Sequence, residues 1–161
     1  MIAGRILQRK APNGGFTLIE LLVTITLVAV LAALATPSFR GFIDGQKVRS
    51  VSSDLFMSLA LARSEAVKRG VDVTVTPATA NWQDGWTVAG GGVTLRTQAA
   101  TGGIVITLAP GSVTFKSTGR LAPGTAYPKF QVDVAATATS LVRCIRIDLG
   151  GTPESSAGAC S

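Results

Sequence analysis

The sequence contains no histidine, which removes the commonest general base, the Ser-His-Asp arrangement and the usual zinc ligand together. Cysteine is nearly as scarce. Cys144 and Cys160 are the only two, and a lone pair lacks the further ligands a metal site needs. Charged residues make up only 15% and aromatic residues 6%, low values for a soluble domain, while the mean hydropathy is positive. Apolar residues must therefore be concentrated somewhere. Asp72, Asp84, Asp133 and Asp148 are scattered, and no serine or threonine has a base beside it. No catalytic constellation results, so neither an enzyme activity nor a cofactor nor a metal is expected.

What is present begins with a basic leader. Residues 1–15 carry Arg5, Arg9 and Lys10 and end in Pro12-Asn13-Gly14-Gly15, a polar stretch without core-forming periodicity. Those three charges account for half of the net +6, so the remainder is mildly basic. Such a balance permits weak attraction to nucleic acid or anionic lipid, without the clustered patch of a dedicated nucleic-acid module.

From Phe16 to Ala35 the chain reads FTLIELLVTITLVAVLAALA, with Glu20 its one charge. A helix of about twenty residues spans roughly 30 Å of hydrocarbon, so this run predicts a single membrane crossing. An ordinary secretory signal is the competing reading, because Ala33-Leu34-Ala35 fits a signal-peptidase site. Two features weigh against it: the run exceeds a typical signal core, and a carboxylate inside a membrane segment is costly enough to imply a partner cation in some assembled state. Basic residues flank both ends, Arg40, Lys47 and Arg49 on the far side, so charge alone does not orient the segment. The cysteines do. Cys144 and Cys160 read as a disulfide closing a loop of roughly fifteen residues, stabilising by about 3 kcal/mol in the chain-entropy model, and a disulfide places the C-terminal part in an oxidising compartment such as the periplasm.

After Pro37, the residues Val48, Val51, Leu55, Leu59, Ala62 and Ala66 recur at helical spacing, predicting an amphipathic helix from about Phe39 to Arg69. Glu65 pairs with Arg69 at i,i+4, Lys68 and Arg69 suit the C-terminal dipole, and Gly70 is a natural stop. Pro37 is expected to kink one long helix rather than divide two. Beyond Gly70 the texture changes to VDVTVT, WTVAG, VTLRT, IVITLA, SVTFK, KFQVDV and LVRCIRIDL, separated by Gly90-Gly91-Gly92, Gly102-Gly103, Pro110-Gly111 and Pro123-Gly124. These predict about seven antiparallel strands. The fold class is α+β: a long N-terminal helix, membrane-spanning in its first half, packed on one sheet of a β-sandwich head. Residues 135–139 read as a loop. The 161 residues suit one such head, with the chain divided into a leader (1–15), an apolar helix (16–36), an amphipathic helix (37–70) and the head (71–161).

The stretch Gly15-Phe16-Thr17-Leu18-Ile19-Glu20 resembles the class III signal of type IV pilins and of the pseudopilins of type II secretion. The resemblance implies cleavage between Gly15 and Phe16 by a prepilin peptidase, N-methylation of Phe16, and a role for Glu20 in assembly, where it meets an N-terminal amine in the filament core. Pro37 also falls where pilin helices carry a kinking proline. A narrower resemblance is to the GspH/FimT group of minor pseudopilins and pilins, through Leu61-Ala62-Arg63-Ser64-Glu65-Ala66-Val67-Lys68-Arg69-Gly70, Trp82-x-x-Gly85-Trp86 and Phe115-x-x-x-Gly119-Arg120. It implies a structural subunit of a type II secretion system or type IV pilus, whose partners are other pilin or pseudopilin subunits, the peptidase and inner-membrane lipid.

The alternative is a DNA-binding minor pilin acting in DNA uptake, with Trp82 and Trp86 as stacking platforms. The bland reading of those residues is Trp86 as a core anchor on a strand and Trp82 as a partly buried turn residue. DNA-uptake members carry a C-terminal Gly-Arg-x-Arg element, and here Leu149-Gly150-Gly151-Thr152-Pro153-Glu154 stands in its place. Arg143 and Arg146, three apart on a strand, point to opposite faces and make no joint phosphate clamp.

Overall fold

The computed structural model describes residues 15–123, 127–135 and 141–161, with the side chains of residues 35–40 outside that description. The leader up to Gly14, the glycine of the expected Pro123-Gly124 turn and most of the loop expected over 135–139 lie outside the described residues.

One helix, α1 (Leu18–Arg69), accounts for 52 residues. It continues through Pro37, so the segments expected over 16–36 and 37–70 belong to one element. Its C-terminus is closed as the sequence predicts. The Gly70 N–H donates to the Ala66 carbonyl at 3.0 Å, with Gly70 at φ +67°, a backbone conformation that disfavours any residue with a Cβ. Glu65 forms ion pairs with Arg69 and Lys68. Contacts divide the chain after Phe39 into two units.

In the first unit, the apolar side chains from Phe16 to Leu34 are exposed around the whole helix. Two of the threonines on this stretch bond to their own backbone: Thr24 Oγ1 donates to the Leu21 carbonyl at 2.8 Å, and Thr26 Oγ1 to those of Leu22 and Val23 at 3.0 and 2.8 Å.

In the second unit, the periodic stripe Val48, Val51, Leu55, Leu59, Ala62 and Ala66 is buried in a core shared with two antiparallel sheets. The strands are β1 (Val73–Pro77), β2 (Trp86–Gly90), β3 (Val93–Gln98), β4 (Ile104–Thr107), β5 (Val113–Phe115), β6 (Lys129–Val134), β7 (Arg143–Ile147) and β8 (Pro153–Ala157). The first sheet has the order β3-β2-β1-β5 and the second β4-β6-β7-β8. Alternation sets which side chains enter the core. Val73 and Val75 of β1, Trp86 and Val88 of β2, Phe130 and Val132 of β6, and Ile145 and Ile147 of β7 are all buried.

One expectation is corrected. The helix lies against both sheets, not one: Asp54 pairs with Arg96 of β3 at 3.3 Å, while Arg49, Ser52 and Phe56 share a cleft with Arg143 of β7 and Ser155 of β8. Among the described residues the head has eight strands, in keeping with the expected number of about seven, and β8 is the one the pattern did not announce. The segment Leu149-Gly150-Gly151-Thr152-Pro153-Glu154, read as a tail, is the β7–β8 turn and the start of β8. In that turn Asp148 Oδ1 accepts from the Thr152 N–H at 2.7 Å. Pro153 is tolerated because it opens an edge strand, and β8 escaped the sequence pattern because its remaining residues are exposed and none is a large apolar one.

Candidate functional site

The helix start is built by residues the sequence singles out. Gly15, Phe16 and Thr17 precede the helix and are exposed, Phe16 at 86%, so the Gly15–Phe16 peptide bond is open to solvent just ahead of α1. Thr17 caps the helix. The Glu20 N–H donates to Thr17 Oγ1 at 3.2 Å, and Glu20 accepts from both the Thr17 N–H and the Thr17 hydroxyl at 3.1 Å. This reciprocal pair is a capping box, satisfying helix N–H groups that have no intrahelical acceptor, and the carboxylate also complements the positive end of the helix dipole. Glu20 is therefore held at the N-terminus by Thr17, a residue whose role sequence reading missed although Thr-x-x-Glu before an apolar run is its signature.

The second group of motif residues meets where α1 crosses the turns of both sheets. The Arg63 guanidinium donates to the Gly119 carbonyl from Nε and to the Gly150 carbonyl from Nη2, both at 3.1 Å. One side chain thus ties the helix to the turn after β5 and to the β7–β8 turn. Gly119 and Gly151 have φ of +76° and +81°, and neither has room for a side chain. A Cβ on Gly119 would meet Val67 Cγ2 at 2.8 Å, and one on Gly151 would sit 2.2 Å from the Gly119 carbonyl oxygen. Arg120 is exposed, and its backbone closes the Lys116–Arg120 turn.

Both tryptophans belong to the core. Trp86 is fully buried and its Nε1 donates to Ser58 Oγ at 2.9 Å, while Ser58 Oγ donates to the Asp54 carbonyl at 2.7 Å. Trp82, on a short turn of 3-10 helix, is 2% exposed rather than partly buried. It donates to the Pro110 carbonyl at 2.6 Å and packs edge-on against Phe130. Neither indole offers a face on which a base could stack.

The scattered carboxylates hold local structure. Asp72 pairs with Lys116 at 2.7 Å, whose hydrogen bond holds its pKa below the ordinary value. Asp84 accepts from Thr79, and Asp133 from the Val134 N–H. Glu65 is likewise held below its ordinary value, chiefly by the hydrogen bond from Arg69. Among the described residues no His, Cys, Asp and Glu side chains cluster in a way that could hold a metal ion. Cys144 and Cys160 form a disulfide with their Cα atoms 5.0 Å apart. It ties the chain beyond β8 to β7.

Against known families, residues 52–151 match the model described as type II transport protein GspH. The chain belongs to the GspH family. A second match, to the prokaryotic N-terminal methylation motif, covers residues 10–36. The GspH match takes in Arg63, Gly119, Gly150 and Gly151, so the helix-to-turn tie lies wholly inside the family domain. Two crystal structures of the type IV minor pilin FimU of Pseudomonas aeruginosa strain PAO1 share the fold. One is 21% identical with a TM-score of 0.59, covering 70% of this chain and 90% of FimU. The other, in a second crystal form, is 22% identical with a TM-score of 0.57, covering 67% and 91%. No curated protein matches the chain. Among the described residues no helix is long and apolar enough to cross a membrane.

Proposed function

We propose that this GspH-family chain is a minor pilin or pseudopilin precursor, a structural subunit and not an enzyme. It is held in the inner membrane by residues 16–35 with its head in the periplasm, then cleaved after Gly15 by a prepilin peptidase and methylated at Phe16. The processed subunit joins other pilin or pseudopilin subunits in a type II secretion pseudopilus or a type IV pilus, or at its tip.

The observation that carries this reading is the helix from Leu18 to Leu34. Its apolar side chains are exposed on every face and its threonines bond to their own backbone. Such a surface is expensive in water and suits lipid or a bundle of like helices. Pro37 supports it too: lacking an N–H, it leaves the Ala33 carbonyl without its helical donor and gives the helix a place to bend. Glu20 supplies the chemistry of assembly. In the unassembled chain its carboxylate is occupied by Thr17, and cleavage after Gly15 creates an amine at Phe16 with which the carboxylate of a subunit in the filament pairs. The disulfide favours the periplasmic placement of the head.

The deciding experiment is intact mass with N-terminal sequencing of the protein from membranes of cells with and without the peptidase. A chain starting at methylated Phe16 supports the reading. A soluble chain starting at Thr36 overturns it. Glu20→Ala then leaves the head folded but lowers recovery in sheared filaments, and wild-type recovery would remove Glu20 from assembly. The DNA-receptor alternative loses its stacking platforms, because both tryptophans are buried.

A further inference from the structure

Four arginines of the head have visible employment. Arg63 binds two carbonyls, Arg69 pairs with Glu65, Arg96 with Asp54 and Arg146 with Glu154. Arg49 of α1 and Arg143 of β7 are different: among the described residues neither has an ion pair, yet both line one cleft of about 320 Å³. The remaining walls are Ser52, Ser53, Phe56 and Ser155. Two cations brought together without a counter-ion repel each other, so the arrangement is unsatisfied as it stands.

A second observation is independent of the charges. Ser52, one of the residues lining the cleft, is only 2% exposed, and its buried hydroxyl has no hydrogen-bond partner. A buried polar atom left unpaired is unfavourable and rare. The guanidiniums beside it offer only donors, so a group that completes the cleft must bring acceptors.

We propose that this cleft is an anion site that takes the carboxylate of an acidic side chain on a neighbouring protein subunit. The inference of a neighbouring subunit rests on the assembly reading above; the inference of a carboxylate site does not. The geometry selects the ligand. Ser52 is buried, which disfavours a group carried on a broad surface, whereas an Asp or Glu side chain brings two acceptor oxygens on a narrow stem. Phe56 gives the methylenes of that stem an apolar wall. The planar guanidiniums match a carboxylate in two-point geometry. A phosphate of duplex DNA, set on a wide convex rod, has no such stem with which to reach the buried Ser52.

The test uses the isotope-labelled full chain in detergent micelles, titrated with glutarate, inorganic phosphate and a short single-stranded oligonucleotide while the backbone amides of Ser52, Ser53, Arg143 and Ser155 are followed. Glutarate is expected to give saturable shifts with a Kd on the order of 1–10 mM. Arg49→Gln and Arg143→Gln each weaken it about tenfold, the scale of one lost charge-assisted hydrogen bond, without changing Tm. No saturable shift, equal affinity in the variants, or tighter binding of phosphate or oligonucleotide at these amides would overturn the carboxylate site. A second arm asks where the carboxylate comes from. In cells where the wild-type chain is recovered in sheared filaments, Arg49→Glu with Arg143→Glu is expected to be processed normally and left out. Wild-type recovery of that variant overturns the neighbouring-subunit assignment. Absence of the wild-type chain from filaments would instead count against the assembly reading, and the titration would still judge the site.

Discussion

Removing the Arg63 guanidinium should loosen the head from its helix by an amount that the structure allows to be worked out. Arg63 makes two charge-assisted hydrogen bonds, to the Gly119 and Gly150 carbonyls. Bonds of that kind contribute about 1.5–3 kcal/mol each when buried. The side chain here is half-buried and its bond to Gly150 is exposed, so water recovers part of both, and about 2 kcal/mol in total is the reasoned loss for Arg63→Ala. For a unit of this size that corresponds to a fall in Tm of roughly 6–12 °C. The assay is thermal or guanidinium unfolding followed by circular dichroism, with Lys68→Ala as control, because an exposed i,i+3 ion pair contributes about 0.5 kcal/mol or less. Arg63→Met separates the remaining terms, since it keeps the alkyl stem and removes only the donors. Arg63→Met should fall nearly as far as Arg63→Ala. If Arg63→Ala matches the Lys68→Ala control, the tie contributes nothing; if Arg63→Met restores stability, the contribution is packing and the hydrogen-bond argument fails.

Ser58→Ala leaves the buried Trp86 indole N–H without its acceptor and should cost about 1–3 kcal/mol in denaturant unfolding. The double variant with Trp86→Phe should be less destabilised than the sum of the two single changes, and strict additivity would show that the bond is not coupled. Replacing Cys144 and Cys160 by Ala should cost about 3 kcal/mol, and an unchanged midpoint would mean the disulfide does not constrain the unfolded chain. The pH dependence follows from Glu65 and Asp72, whose folded-state pKa values are depressed by hydrogen bonds from Arg69 and Lys116 below 4.5 and 3.8. Their stabilisation is full above those ordinary values and is lost as pH falls through the lower folded ones. Tm should therefore be flat between about pH 7 and 5 and fall below about pH 4, with Glu65→Gln and Asp72→Asn flattening the fall; an undiminished fall in those variants would assign it to other groups.

How much of this could be read from the sequence depends on how local the governing interaction is. The helical stripe from Val48 to Ala66 announces itself because burial repeats with the period of the element, and seven of the strands because their β-branched or alternating runs stand between glycine and proline turn signals. β8 does not, because four of its five residues are exposed and it is a strand by pairing with β7, from Ile147↔Pro153 to Arg143↔Ala157. The Thr17–Glu20 capping box was legible in principle, its partners lying three residues apart. The Arg63 tie was not: its acceptors are main-chain carbonyls 56 and 87 residues away, and a carbonyl leaves no mark on the sequence. The depth of Trp82 escaped for the same reason, since it is set by Phe130 and the Pro110 carbonyl.

The segment from Leu61 to Gly70 shows why a motif can be dense without being a catalytic site. Ala62 and Ala66 are fully buried, and their small size brings the helix backbone close to the core. Close approach lets the Arg63 fork reach carbonyls of two turns. It also crowds Gly119, where a Cβ would strike Val67, so glycine there follows from the same packing. Glu65, Lys68 and Arg69 then pair among themselves at the helix end, and Gly70 reverses the chain into β1. These residue types follow from how a long helix joins a β head, while Arg49 and Arg143, which have no ion pair among the described residues, line the cleft proposed for a partner's carboxylate.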